Sequence, residues 1–132
     1  MAAGRYSFTI EQGATTDFRI EYKDSNNAAV DLTTYEARMQ IRPTQASTTI
    51  ICRLSSSIDA DGTGLNLTPS VNGVVYPRTS GSIGIVISAA SSSTFNFSEA
   101  YYDLEIYSGS GATQTVDRVL EGKVKLSKEV TR

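Results

Sequence analysis

The side chains that most often carry out catalysis are scarce in this sequence. It contains no histidine, which excludes Ser-His-Asp and Cys-His catalysis, His-ligated zinc and the usual general base near neutral pH. Its single cysteine, Cys52, can form neither an intramolecular disulfide nor a structural zinc site. Cys52 lies between Ile51 and Arg53 in an apolar run, so we expect a buried, unreactive thiol. The composition therefore predicts a protein that is not an enzyme and holds no cofactor or metal.

One pair of carboxylates has a spacing that catalysis could use. Asp103 and Glu105 are two residues apart in an alternating segment, so both point to the same face of a predicted strand. The strand rise places them about 6–7 Å apart, a separation within the range of glycosidase carboxylates. Any strand with a charged outer face produces this spacing, however. We therefore expect a solvated strand face beside Tyr101 and Tyr107.

A second acidic segment resembles the start of a calcium loop. Residues 59–62 read Asp-Ala-Asp-Gly. An EF-hand loop beginning at Asp59 needs an oxygen ligand at its fifth position, glycine at its sixth and glutamate at its twelfth. Those positions hold Thr63, Gly64 and Ser70, and only the glycine fits well. The segment therefore predicts a turn.

Tyrosine is the residue type that offers a candidate binding surface. Of the seven tyrosines in the chain, Tyr35, Tyr101 and Tyr107 are the candidates for partial exposure. Exposed tyrosines on a β-sheet face can form a platform for a sugar or a peptide. Tyrosine also fills sheet faces with its hydroxyl group at the rim, so a purely structural role is the alternative.

Alternation of apolar and polar residues with a period of two dominates the chain and predicts an all-β fold. Pro43 closes one of the predicted strands, and the denser apolar run from Thr49 to Leu54 predicts a more central strand. The apolar positions of the other clear strands are Tyr6, Phe8 and Ile10; Phe18, Ile20 and Tyr22; Ala37, Met39 and Ile41; Ile83, Ile85 and Ile87; and Tyr102, Leu104 and Ile106.

The connections and the last segment complete the predicted topology. Asn72-Gly73 between two valines predicts a β-hairpin with a type I′ turn. Residues 89–94 predict either a single helical turn or an irregular link. The end of the chain predicts one strand or a strand pair, in which the residues on one face are Val116, Leu120, Val124 and Leu126.

Strands separated by short turns predict one domain over residues 1–132. The expected architecture is a single antiparallel β-sandwich, immunoglobulin-like or jelly-roll-like, with a partly open β-barrel as the alternative. A net charge of −2 gives no sequence-wide signal for nucleic acid or a membrane surface. The first residues lack the apolar run of a signal peptide, and no segment approaches the ~20 apolar residues that span a bilayer. We expect a soluble protein made in a cytoplasm.

The two ends of the chain resemble small virion proteins of tailed bacteriophages, including the N-terminal module of baseplate and receptor-binding-apparatus subunits. About residues 45–98 take no part in this resemblance. The segments that carry it are FTIEQGAT at 8–15, FRIEYKD at 18–24, VDLTTYEARMQIR at 30–42, YDLEI at 102–106, RVLEGKV at 118–124 and SKEVTR at 127–132.

The resemblance implies a β-sandwich framed by an opening strand pair and a closing hairpin, with no catalytic residues. It also implies a non-enzymatic structural subunit of the tail, baseplate, neck or a decoration. Such a subunit is present in many copies, in a ring or another symmetric assembly, and contacts other virion proteins and copies of itself. The alternative function is a carbohydrate- or receptor-binding β-module that uses exposed tyrosines.

Overall fold

The computed structural model describes residues 4–109 and 111–130. The SKEVTR segment therefore extends two residues beyond the described chain. The helical segments within these ranges are two short 3-10 turns, Arg78–Ser80 and Gly111–Thr113, and one helical turn, α1 (Ala89–Ser92). The strands are β1 (Gly4–Arg5), β2 (Phe8–Glu11), β3 (Thr16–Glu21), β4 (Glu36–Arg42), β5 (Cys52–Ser55), β6 (Gly64–Asn66), β7 (Ser70–Val71), β8 (Val74–Val75), β9 (Ser82–Ile87), β10 (Glu99–Ser108) and β11 (Thr115–Ser127).

Most of these strands belong to two sheets. The larger sheet has the order β1–β11–β10–β4–β5, and β2 also pairs with β11. Strands β1 and β2 run parallel to β11, whereas β10, β4 and β5 are joined by antiparallel pairing. The smaller sheet has the antiparallel order β3–β9–β6. The two opening strands therefore do not form the strand pair that the resemblance implies, since β2 joins the larger sheet and β3 joins the smaller one.

The predicted all-β, sandwich-like fold is confirmed, and none of the sheets in the described chain closes into a barrel. One hydrophobic core receives side chains from both sheets, because every second residue of the central strands points inward. Within the described ranges no helix has the length and apolar character needed to cross a bilayer. The buried positions include Ala37, Met39 and Ile41 of β4, Ile83, Ile85 and Ile87 of β9, and Tyr102, Leu104 and Ile106 of β10.

A β-bulge changes which residues of β11 face the core. Leu104 pairs with Leu120, but the next residue, Glu105, pairs with Arg118. Val119 is thus an extra residue that reverses the inward and outward parity along β11. Val119 is buried, whereas Val116 is 40% exposed. The prediction that Val116 shares a face with the buried residues farther along β11 was wrong for this reason.

The apolar run from Thr49 to Leu54 forms an edge strand instead of a central one. Only the last residues of the run enter β5 (Cys52–Ser55), and β5 pairs with β4 alone within the described chain. Leu54 is buried against the core, whereas Cys52 is only half-buried. A short apolar run is therefore compatible with an edge strand that buries only its core-facing side chains.

The N-terminal segment crosses closely over β11 at Gly122. The Tyr6 amide donates a hydrogen bond to the Glu121 carbonyl (3.1 Å), and the Tyr102 hydroxyl donates to the Tyr6 carbonyl (2.6 Å). A Cβ atom at Gly122 would lie 2.1 Å from that carbonyl oxygen. The Tyr6 ring also lies 5.8 Å from the ring of Phe18 on β3, so this crossing joins the two sheets.

Replacing Gly122 with alanine is expected to destabilise the fold by about 1–3 kcal/mol, because the new methyl group meets backbone and not a movable side chain. Urea denaturation of wild type and variant measures the loss. Gly4→Ala is the matched control, since its Cβ would meet the flexible Leu120 side chain at 3.1 Å and the Val119 carbonyl oxygen at an ordinary contact distance of 3.6 Å. Equal stability of Gly122→Ala and wild type would contradict the close crossing.

Candidate functional site

The outward-pointing residues of β4, β10 and β11 form a polar surface, here called the outer face. On β10 the even-numbered residues from Ala100 to Ile106 are buried, so Tyr101, Asp103, Glu105 and Tyr107 point outward. In the antiparallel register with β4, each of these residues lies directly opposite a polar partner. The opposing pairs are Tyr101 with Arg42, Asp103 with Gln40, Glu105 with Arg38, and Tyr107 with Glu36.

Ion pairs connect the three strands across the outer face. Arg38 Nε lies 3.0 Å from Glu105 Oε1. Arg118 Nε, on β11, lies 3.7 Å from Asp103 Oδ2 and 4.0 Å from Glu105 Oε2, and its Nη1 lies 4.0 Å from Glu121 Oε2. Exposed pairs of this kind stabilise a fold by about 0–1 kcal/mol each. They place charged groups of both signs side by side on the outer face.

Arg42 organises one end of the outer face. Its Nε and Nη2 donate to Gln40 Oε1 at 3.1 and 2.6 Å, and its Nη1 donates to the Ser47 carbonyl at 2.6 Å. The side-chain oxygen Oε1 of Gln40 therefore accepts two hydrogen bonds from Arg42. The side-chain nitrogen Nε2 of Gln40 donates to no residue in the described part of the chain. Gln40 is held in one orientation with its donor group available.

The structure places two of the three candidate tyrosines on the same face of the larger sheet. Tyr101 and Tyr107 lie on the outer face, six residues apart on β10, or about 20 Å along the strand. Lys123 Nζ lies 5.8 Å from the Tyr101 ring, and Arg38 Cζ lies 4.7 Å from the Tyr107 ring. Tyr35 immediately precedes β4 and is half-buried against the core, so it does not join them.

An open groove of about 650 Å³ runs over the middle of the outer face. Tyr101 lines the groove, whereas Tyr107 does not contribute to it. The charged residues that line it are Arg38, Arg42, Arg118, Asp103, Glu105 and Glu121.

Asp103 and Glu105 share a face, as the sequence predicts, but the structure gives them different partners. Partial burial, and secondarily the nearby Glu105 carboxylate, raises the pKa of Asp103, while Arg118 acts in the opposite direction. Glu105 is bound to Arg38 at 3.0 Å. The arrangement can accept hydrogen bonds from a ligand through its carboxylates and donate them through its guanidinium groups.

Sequence reasoning missed the arginines that complete the outer face. Arg38 and Arg42 could have been found, because they alternate with the buried residues of β4. Arg118 could not be assigned from parity alone, because the bulge at Val119 intervenes between it and the later part of β11.

The acidic segment at 59–62 is a turn, and its Asp61 side chain is hydrogen-bonded to the start of α1. The Asp61 Oδ2 atom accepts hydrogen bonds from the hydroxyl groups of Ser88 and Ser91, both at 2.6 Å. Its Oδ1 atom accepts from the Thr63 amide at 3.0 Å. These hydrogen bonds, those of the two serines first, lower the pKa of Asp61. Across the described ranges, no cluster of three or more histidine, cysteine or acidic residues could hold a metal ion.

Cys52 lies at the edge strand β5, half-buried against the core. Burial, assisted by the negative charges of Asp59 and Asp61, raises the pKa of its thiol to about 11. The thiol is therefore protonated at neutral pH, but the residue is only half-buried and not fully buried as the sequence predicts.

Comparison with known proteins identifies no family: no protein-family model matches the chain, and no curated protein matches it.

The Cys52 thiol is expected to react slowly with a thiol reagent at mildly alkaline pH. A rise in the pKa from 9.0 to about 11 lowers the thiolate fraction about a hundredfold when the pH is below both pKa values. Timed labelling of the native protein, with the urea-unfolded protein as the reference, measures this difference. Labelling of the native thiol as fast as that of the unfolded chain would show that Cys52 is neither shielded nor shifted.

Asp61→Asn is expected to lower stability at neutral pH. The pKa of Asp61 is lowered in the folded protein, so its carboxylate stabilises the fold above the ordinary value of 3.8. That contribution is lost as the pH falls below 3.8, and the difference between wild type and variant should shrink there. Urea denaturation over a pH series measures it, with Asp59→Asn as the control from the same turn. A difference that is independent of pH would contradict this role of the charge.

Proposed function

We propose that the chain is a non-enzymatic structural subunit of a bacteriophage virion, located in the tail, baseplate, neck or a decoration. It acts through protein–protein contacts with other virion proteins and with copies of itself. The observation that carries this proposal is an exposed apolar β-hairpin, Ser70–Val75, which forms a sheet of its own apart from the two main sheets.

The hairpin has a well-defined turn and an apolar surface. Asn72 and Gly73 both have positive φ angles, 52° and 81°, as a two-residue type I′ turn requires. Val71 pairs with Val74 and therefore shares a face with it, while Val75 points to the opposite face. These valines are 40%, 56% and 63% exposed, respectively. Val71 and Val74 thus form an exposed apolar pair on one face of the hairpin, which favours contact with another protein.

The base of the hairpin is fixed to the rest of the fold. Pro69 and Pro77 flank it, and the Tyr76 amide donates a hydrogen bond to the Pro69 carbonyl at 2.8 Å. The guanidinium group of Arg19, on β3, lies 4.2 Å from the centre of the Tyr76 ring. Arg19 also donates to Ser82 Oγ at 3.1 Å. A hairpin that is ordered before binding loses little conformational entropy when it docks, which favours its use as an assembly contact.

The small size of the hairpin fits a subunit that is present in many copies. Three valines alone bury too little area for a stable isolated dimer, because specific interfaces bury about 1,200–2,000 Å². In a ring or another symmetric assembly, many weak contacts act together and their combined strength far exceeds that of one contact. The segments that resemble phage virion proteins supply residues of β2, β4, β10 and β11 in the larger sheet and of β3 in the smaller one, and this resemblance supports the virion role.

Val71→Lys is expected to leave the fold intact and to reduce incorporation of the chain into phage particles at least about tenfold, because a charge at the apolar hairpin must be desolvated on docking. The measurement is quantitative mass spectrometry of gradient-purified particles grown with each variant. Val116→Lys is the matched control, since both valines are 40% exposed and Val116 lies on β11, which belongs to a different sheet.

Absence of the wild-type chain from purified particles would refute the virion role. If the wild-type chain is present and Val71→Lys is incorporated equally well, the hairpin is not the contact.

A further inference from the structure

We infer that the groove on the outer face binds a neutral oligosaccharide. The groove lies on the larger sheet, and the hairpin Ser70–Val75 belongs to a separate sheet. Sugar binding here would therefore be a second activity of the chain, independent of the assembly contact.

The charge balance of the groove favours an uncharged ligand. Three arginines and three carboxylates line it, and Arg38 and Arg118 are already paired with acidic neighbours. A ligand with a net charge of either sign would meet a like charge for each opposite charge that it contacts. Hydroxyl groups can donate to the carboxylates and accept from the guanidinium groups while the ion pairs remain in place.

The side chains in the groove also have shapes that suit vicinal hydroxyl groups. Carboxylate and guanidinium groups are planar and offer two parallel hydrogen-bonding positions. Glu105 is held by Arg38 at 3.0 Å, and Gln40 is held by Arg42 at 2.6 Å with its amide nitrogen available. Both groups are fixed before a ligand arrives, which lowers the entropy lost on binding.

Tyr101 supplies the apolar part of the site. Its half-buried ring lines the groove, and Lys123 approaches it at 5.8 Å. An aromatic ring at the rim can pack against the C–H face of a sugar ring while its hydroxyl stays in water. The groove is open and bordered by the exposed residues Thr44 and Gln45 beyond β4, so an extended ligand can continue past its end.

The test is isothermal titration calorimetry of the full chain with three neutral probes: maltoheptaose, cellohexaose and chitohexaose. We expect at least one probe to bind with a low-millimolar or lower Kd. Glu105→Gln should weaken that binding about tenfold, because a hydrogen bond to a charged acceptor is lost. Glu99→Gln is the matched control on the same strand, since Glu99 lies outside the groove. Circular dichroism verifies that both variants are folded.

Gln40→Ala provides a second variant that removes a donor without altering an ion pair, and it should also weaken binding. Lack of binding by all three probes, or equal binding by Glu105→Gln, Gln40→Ala and Glu99→Gln, would overturn the inference. If the groove variants instead lose incorporation into particles and no probe binds, the outer face is a protein interface and not a sugar site. Val71→Lys should keep full sugar binding, which separates this inference from the assembly role.

Discussion

Strand β10 is the element on which both the core and the outer face depend. It pairs with β11 on one side and β4 on the other, so its neighbours take their registers from it. Its even-numbered residues from Ala100 to Ile106 enter the core, and the odd-numbered residues between and beside them build the outer face. Because side chains alternate strictly along a strand, a shift of one residue would exchange the two surfaces. Burial of Tyr102, Leu104 and Ile106 thereby fixes the positions of Asp103 and Glu105.

The sequence was most informative where a strand keeps one register along its length. The alternation around Ala37, Met39 and Ile41 predicted β4 correctly, and Asn72-Gly73 predicted the hairpin. The alternation of apolar and polar residues did not predict the features that depend on how strands pair with one another. The bulge at Val119 depends on how β11 fits against β10, and the edge position of β5 depends on which strands lie beside it. Neither is encoded in the periodicity of a single segment.

The candidate surfaces, too, could be predicted only in part from the sequence. Tyr101, Tyr107, Asp103 and Glu105 could be placed on one face from their spacing along one strand. Their arginine partners come from strands far away in sequence, so the paired charges of the groove became visible only in the fold. The exposure of the hairpin valines was equally beyond prediction, because alternation indicates a strand but not what covers it.

The apolar hairpin and the polar groove of this β-sandwich lie on two separate sheets. The hairpin is the element proposed to join the subunit to its neighbours. The most direct measurement is a cryo-electron microscopy reconstruction of the phage particle. We expect density for this chain with Val71, Val74 and Val75 buried against an adjacent subunit. A particle that lacks the chain, or that contains it with the hairpin exposed to solvent, would contradict the account.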